Sequence, residues 1–201
     1  DLPALKNNFI TFGCFNKLSK INDDVIKLWS KILLSISKSK LFLKSREFDN
    51  QKICKNIIEK FNKHNVSSDR LIFQGKSETR KELLETYNEI DIALDPFPFQ
   101  GNTSTCEAAW MGVPVITLKG DRYIFHFGES INSNLNMHDW IAQNHKEYIS
   151  KAIKFSSNIE QLSKIRMKLR EITLKSKVFD APSFSKHFDK LLWNMWKKYN
   201  N

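Results

Sequence analysis

Short runs of β-branched and aromatic residues alternate with helical periodicity along much of the chain. The stretches between the runs carry apolar residues at three- and four-residue steps, as at Val25, Trp29 and Ile32. Strands that alternate with helices at this spacing form βαβ units, whose parallel sheet is covered on both faces. We therefore predict an α/β fold with a doubly wound parallel sheet. The predicted strands are residues 9–12, 41–43, 71–73, 90–94 and 113–118.

The last quarter of the chain has a helical pattern and no strand signal. Ile159, Leu162, Ile165 and Leu169 recur at helical spacing, and residues 184–199 repeat the pattern. We predict a single domain over 1–201, with an α/β core over about 1–142 and a helical C-terminal extension over about 143–201. The apolar faces of these helices are expected to be buried and their lysines solvated. The alternative is a docking surface for an acidic partner.

The net charge of +10 suggests nucleic acid as a partner. The excess is concentrated in residues 151–201, where 12 Lys and Arg stand against 4 Asp and Glu. Because the aromatic residues there have core spacing, we expect no nucleic acid as a partner. No apolar run reaches the roughly 18 residues of a membrane span, so we expect no membrane either.

Two features bear on the compartment of the chain and on whether it is part of a longer protein. Its three cysteines have no zinc-binding spacing, which favours free thiols in a reducing compartment such as the cytoplasm. The chain starts at Asp1, without an initiator Met or a signal peptide, so we expect it to be part of a longer protein.

The segment 95–114 carries the strongest chemical signal. Ligands of open α/β sheets bind outside the carboxyl ends of the strands, and this segment leaves the fourth predicted strand. Thr103, Ser104 and Thr105 open a helix whose free N–H groups suit a diphosphate. Glu107 shares their face and suits the two hydroxyls of a ribose. The pattern indicates a nucleotide site, and the alternative is a capping box formed by Ser104 and Glu107.

Neighbouring loops add further candidates. The loop after the first strand holds Asn16 and Lys20, and Lys20 either meets phosphate or is merely solvated. The loop after the fifth strand holds Arg122 and His126, which are candidates for phosphate or substrate. The chain has no P-loop, no G-x-G-x-x-G motif and no Asp-x-Asp pair. Phosphate charge would therefore be met by Lys, Arg and helix N-termini, without a metal.

Four sequence blocks carry a family resemblance over nearly the whole chain. They are FGCFNKLSKI from Phe12, DIALDPFP from Asp91, TSTCEAAWMGVP from Thr103 and GESI from Gly128. With them the chain resembles the C-terminal half of the catalytic region of bacterial O-linked N-acetylglucosamine transferases that carry tetratricopeptide repeats. The resemblance implies a Rossmann-like C-terminal domain of a GT-B glycosyltransferase that binds the UDP of UDP-N-acetylglucosamine.

The resemblance also implies roles for individual residues. Thr103, Ser104 and Thr105 match the diphosphate-binding hydroxyls, and Glu107 matches the ribose-binding carboxylate. Lys20 matches the phosphate-contacting lysine that would stabilise the leaving group. Asn16, Lys17 and Arg80 complete the implied substrate-binding set, and His126 joins the predicted site only through the position of its loop. Where the family often has a uracil-stacking His, this chain has Leu83, with Arg80 nearby as a weaker candidate.

The implied reaction transfers the sugar to Ser or Thr of a protein or peptide with inversion, and needs neither metal nor cofactor. The resemblance places the catalytic acid and base residues, the N-terminal catalytic half and the repeats upstream of this chain. Two alternatives stay open. One is a transferase of the same fold with another donor or acceptor, such as UDP-glucose and Asn, and the other is a non-catalytic basic binding module.

Overall fold

The computed structural model describes residues 1–200 and contains six strands. The strands are β1 (Thr11–Cys14), β2 (Lys40–Lys44), β3 (Leu71–Gln74), β4 (Ile92–Leu94), β5 (Val115–Leu118) and β6 (Ile141–Ala142). They form one sheet in the order β3-β2-β1-β4-β5-β6, and every pair is parallel. The predicted fold class is confirmed.

Nine α-helices lie in the described residues. They are α1 (Pro3–Asn7), α2 (Asp23–Ser35), α3 (Gln51–Asn62), α4 (Arg80–Glu85), α5 (Thr103–Trp110), α6 (Phe127–Asn134), α7 (His145–Ser156), α8 (Ile159–Lys175) and α9 (Ala181–Asn200). The helical C-terminal extension is therefore confirmed as a set of helices after β6. The division of the domain near residue 142 stays a prediction.

The five predicted strands all form, with ends displaced by a few residues. The sixth strand, Ile141–Ala142, was not predicted, because two residues are too few to show a periodicity. It pairs with β5 through Thr117 and Leu118. It adds one strand to the sheet, at the edge opposite β3.

The sheet reverses its building direction between β1 and β4. Phe12 of β1 is in register with Leu41 of β2 on one side and with Ile92 of β4 on the other. Strands β2 and β3 follow β1 on one side of it. The chain then returns to the other side of β1, where β4, β5 and β6 follow in order. Ligands of doubly wound folds bind at such a point, outside the carboxyl ends of the strands.

Alternate strand residues face two apolar layers. Phe12, Leu41 and Ile92 belong to the larger core, which includes Trp29 of α2 and Tyr148 of α7. The residues next to them in the strands point the other way. Phe42, Ala93 and Val115 form the second core with Tyr87 and Ala108. Helices therefore cover both faces, as the alternating sequence pattern predicts.

Asparagine side chains start several helices. Asn22 accepts a hydrogen bond of 2.9 Å from the Val25 N–H and so caps α2. Its amide nitrogen donates to the Phe97 carbonyl oxygen at 2.8 Å, which ties α2 to the segment after β4. Asn144 and Asn158 cap α7 and α8 in the same way.

The C-terminal helices differ in how they pack. Leu162 and Leu169 of α8 are each 1% exposed, and Arg166 donates a hydrogen bond of 2.8 Å to the Ile90 carbonyl oxygen. In contrast, α9 has no buried residue. Its large apolar side chains are all exposed, namely Phe184, Phe188, Leu191, Leu192, Trp193, Met195, Trp196 and Tyr199.

The expectation of buried apolar faces is therefore correct for most of α8 and wrong for α9. In α8 the exception is Ile172, which belongs to the same predicted apolar face and is 38% exposed. Helical spacing shows that apolar residues share a face, but it does not show that another element covers that face. The spacing argument against nucleic acid fails for the same reason. The absence of a nucleic-acid partner stays a prediction.

Candidate functional site

The loops after β1 and β4 meet at the reversal point of the sheet. The Lys20 ammonium donates hydrogen bonds to the Gln100 carbonyl oxygen at 2.7 Å and to Asn16 Oδ1 at 3.2 Å. Asn16 Oδ1 also accepts a hydrogen bond of 3.0 Å from the Ser104 hydroxyl. Three of the predicted site residues, Asn16, Lys20 and Ser104, are thus in one hydrogen-bonded group.

Lys20 lies over an aromatic ring and experiences the charge of a buried carboxylate. Its ammonium lies 4.3 Å from the centre of the Phe99 ring. Burial lowers the pKa of Lys20, the negative charge of Asp95 opposes this effect, and the positive charge of Lys17 adds to it. Lys17 itself is exposed. The loop therefore presents two positive charges at the carboxyl end of β1.

The N-terminus of α5 provides the donors that the sequence predicts. The helix begins at Thr103, so the N–H groups of its first turn have no acceptor within the helix. Thr103 is exposed, Ser104 is half-buried and Thr105 is buried. Gly101 lies just before the helix and packs closely against Ser104, because a Cβ at position 101 would lie 2.6 Å from Ser104 Oγ.

The capping-box alternative is wrong. Ser104 is the second residue of α5, where it cannot act as the N-cap, and Asn102 occupies the N-cap position. Glu107 does not reach back to the start of the helix. Its carboxylate pairs instead with the Arg80 guanidinium at 2.5 Å and accepts a hydrogen bond of 3.1 Å from the Tyr87 hydroxyl. The partners of Glu107 are therefore Arg80 and Tyr87, and its role in binding ribose stays a prediction.

Tyr87 is a site residue that sequence reasoning missed. It follows α4 in the short 3-10 helix Thr86–Glu89 and is 1% exposed. Its hydroxyl lies 3.1 Å from both the Ser104 carbonyl oxygen and Glu107 Oε2. In the sequence it is one of several apolar positions of a helical pattern, and nothing there distinguishes it from a core residue.

Asp95 is a second missed residue. Its carboxylate accepts hydrogen bonds from the Gly101 N–H at 2.6 Å and from the Thr117 hydroxyl at 2.8 Å. Burial raises the pKa of Asp95 to about 7, and these two hydrogen bonds oppose that rise. Asp95 thereby fixes the turn that leads into α5. Its signal in the sequence is its place directly after a buried strand.

The predicted residue His126 has a partner within its own loop. Its ring nitrogen Nδ1 makes a short contact with Glu129, which also pairs with Lys119 at 2.8 Å. The Gly128 N–H donates a hydrogen bond of 2.7 Å to Gln100 Oε1, so the loop is joined to the segment after β4. Within residues 1–200, no hydrogen bond joins His126 to Lys20 or to the α5 hydroxyls. Its substrate role stays a prediction.

A cleft of about 640 Å³ extends from this group along the carboxyl ends of β1, β2 and β3. Leu83 lies in its wall, as do Phe15, Lys44 and Arg80. The Lys44 ammonium donates a hydrogen bond of 3.1 Å to the Gly75 carbonyl oxygen. The cleft therefore continues from the Glu107 side of the site toward the loop where the sequence predicts a base.

Two features are absent from residues 1–200. These residues contain no group of three or more His, Cys, Asp or Glu side chains placed to hold a metal ion. None of their helices combines the length and the apolar character that crossing a membrane requires. The three cysteines are free thiols, with Cys14 and Cys54 buried.

Comparison with known proteins identifies the family of this chain and agrees with its fold. Residues 2–188 match the model of glycosyl transferase family 41. The chain is 34% identical over 197 residues to the probable UDP-N-acetylglucosamine–peptide N-acetylglucosaminyltransferase SPINDLY of Arabidopsis thaliana, and 32% identical to that of Solanum lycopersicum. These alignments cover 98% of this chain and 22% and 21% of the relatives.

A solved structure is similar over nearly the whole chain. The O-GlcNAc transferase of Thermobaculum terrenum, in a mutant form, superposes with a TM-score of 0.91 and is 32% identical. The match covers 98% of this chain and 38% of that one. The architecture is thus that of the C-terminal domain of a GT-B glycosyltransferase.

The chain belongs to glycosyl transferase family 41. The family resemblance read from the four sequence blocks is confirmed. The chain spans about a fifth of the length of the curated relatives it matches.

Proposed function

We propose that this chain is the donor-binding half of a protein O-N-acetylglucosaminyltransferase. The observation that carries the proposal is the position of Ser104 between two polar groups. Its hydroxyl bonds to Asn16, which also accepts from Lys20, and its carbonyl oxygen lies beside the Tyr87 hydroxyl that contacts Glu107. A cationic end and a carboxylate end therefore flank one helix N-terminus.

Each part of the UDP group has a matching part of this site. The diphosphate fits the N–H groups of the first turn of α5, the hydroxyls of Thr103 and Ser104, and Lys20. Thr105, the third hydroxyl that the resemblance assigns to the diphosphate, is buried, so the proposal leaves it out of the diphosphate contacts. The ribose hydroxyls fit the Glu107 carboxylate, and the cleft next to Leu83 and Arg80 leaves room for the base.

The proposed reaction is an inverting transfer that needs no metal and no cofactor. The acceptor is a Ser or Thr hydroxyl of a protein or peptide, whose oxygen bonds to the anomeric carbon as the bond to the UDP oxygen breaks. The acceptor proton passes to a base outside this chain, since the catalytic acid and base residues are expected in the N-terminal half of the full-length protein. Lys20 and the α5 N-terminus stabilise the negative charge of the departing UDP.

The remaining parts of the proposal concern the whole protein. We propose that an N-terminal catalytic half with repeats completes the cleft and holds the acceptor. The free cysteines of the described residues suit a reducing compartment, and we propose the cytoplasm. Neither a nucleic acid nor a membrane is part of the proposed activity.

Donor competition tests the proposal. Titration calorimetry on the 201-residue chain should show UDP and UDP-N-acetylglucosamine binding at one site, with UDP-glucose binding more weakly. A preference for UDP-glucose would instead favour a transferase of the same fold that uses another donor. As controls, Glu89→Ala and Lys186→Ala should leave UDP affinity unchanged, since both side chains are exposed and lie outside the site. Absence of UDP binding would contradict the proposal.

A further inference from the structure

Tyr87 contacts the site from the protein interior. Its hydroxyl lies 3.1 Å from the Ser104 carbonyl oxygen and 3.1 Å from Glu107 Oε2. A phenol has one proton, and both of these neighbours are acceptors. Since hydrogen bonds to ionised acceptors are the stronger ones, the proton is donated to the Glu107 carboxylate.

The Tyr87 hydroxyl is a permanent donor in a fixed position. Burial and the negative charge of Glu107 both raise the pKa of Tyr87 well above its ordinary value, so the phenol stays protonated through the neutral range. The ring centre lies 4.4 Å from that of Phe15, within the second apolar core. The donor therefore cannot easily swing away from Glu107.

Glu107 has a second partner of a different kind. Arg80 contacts Oε1 at 2.5 Å, and the Arg80 side chain is 61% exposed while that of Glu107 is 10% exposed. An ion pair with one such exposed partner adds little stability and is readily exchanged. A carboxylate has about four lone-pair positions, so Tyr87 leaves acceptor capacity on both oxygens for incoming hydroxyls.

We propose that Tyr87 is a positioning residue for the donor nucleotide. Its buried hydroxyl holds the Glu107 carboxylate in the orientation that receives the two ribose hydroxyls, while Arg80 is the partner that gives way. The proposal rests on the proposed function, which assigns Glu107 to the ribose.

The test compares two ligands that differ only in the ribose hydroxyls. Tyr87→Phe removes the hydroxyl and keeps the ring in its core position. Calorimetry with the 201-residue chain should show an affinity for UDP that is weaker by about threefold to tenfold, the cost of ordering the released Glu107 side chain on binding. The affinity for 2′,3′-dideoxy-UDP should not change, because that ligand has no hydroxyl for Glu107 to bind.

Several results would overturn the proposal. An equal loss of affinity for UDP and for dideoxy-UDP would mean that the Tyr87 hydroxyl stabilises the site as a whole and does not position Glu107 for the ribose. In a Glu107→Ala background, which has no acceptor for Tyr87 to hold, Tyr87→Phe should cause no further loss of UDP affinity, and an additive loss would also count against the proposal.

The wild-type chain separates this inference from the proposed function. If it binds UDP and dideoxy-UDP equally, the assignment of Glu107 to the ribose is wrong, and the role of Tyr87 with it. If it distinguishes the two ligands but Tyr87→Phe has no effect, only the role of Tyr87 is wrong.

Discussion

The Lys20 ammonium donates a hydrogen bond of 2.7 Å to the carbonyl oxygen of Gln100, a residue 80 positions further along the chain. This bond joins the loop after β1 to the segment after β4, directly beside the N-terminus of α5. It holds a positive charge at the point where two neighbouring strands of the sheet end. The proposed role of Lys20 in binding phosphate rests on that position.

Lys20→Met should weaken UDP binding about tenfold or more, because it removes a charge-assisted contact to phosphate. Uridine has no phosphate, so its affinity should not change. Calorimetry with both ligands makes the comparison, and Lys186→Met is the matched control on exposed α9. A similar loss for uridine would show that Lys20 maintains the loop rather than binding phosphate.

Asp95 should make stability depend on pH. The folded chain keeps the Asp95 proton up to about pH 7, whereas the unfolded chain releases it near the ordinary pKa of 3.8. The unfolded state thus binds fewer protons in this window, and the contribution of Asp95 to the free energy of unfolding falls as pH rises from about 4 to 7.

Asp95→Asn removes this titration. Urea unfolding of both proteins between pH 4 and 8 should show that wild type loses stability relative to the variant as the pH rises, with the difference constant above about pH 7. A difference that does not vary with pH would mean that Asp95 is already ionised in the folded chain at low pH.

Truncation after Asp180 should hardly change the stability of the domain. No residue of α9 is buried, so its removal should alter the free energy of unfolding by less than about 0.5 kcal/mol. Leu169→Ala in α8 is the contrasting variant. Leu169 is 1% exposed, so this substitution should lower the free energy of unfolding by about 2–5 kcal/mol. A large loss of stability on truncation would mean that α9 packs on the domain in solution.

Leu83→His should strengthen UDP binding. Leu83 lies in the wall of the cleft, and an aromatic ring there would stack on the base with about 0.5–1.5 kcal/mol of added stabilisation. UDP affinity should therefore rise about threefold to tenfold, and Leu83→Ala should give no gain. If the His and Ala variants bind UDP equally, the base does not lie beside this residue.

The fold was predictable because its signals are local. Each strand from β1 to β5 is a short apolar run, and the helical patterns that follow the first four of them form helices in the structure. The candidate site was partly predictable for a related reason. Asn16, Lys20 and Ser104 lie directly after strands of a parallel sheet, and such positions converge at one edge.

The parts that could not be predicted depend on tertiary contacts. The apolar spacing of α9 is the same kind of signal as that of α8, and only the three-dimensional arrangement shows that α9 is uncovered. The same holds for Tyr87, because its partner Glu107 is 20 residues away and belongs to another helix. The partner of Arg80 likewise becomes known only from the assembled site.

The central claim is that UDP lies across the N-terminus of α5, between Lys20 and Glu107. A crystal structure of the chain with UDP tests it most directly. We predict diphosphate oxygens within about 3 Å of the first-turn N–H groups and of the Lys20 ammonium, with the ribose hydroxyls on Glu107 and Arg80 released from it. UDP bound elsewhere, or a diphosphate without contact to α5 and Lys20, would contradict the account.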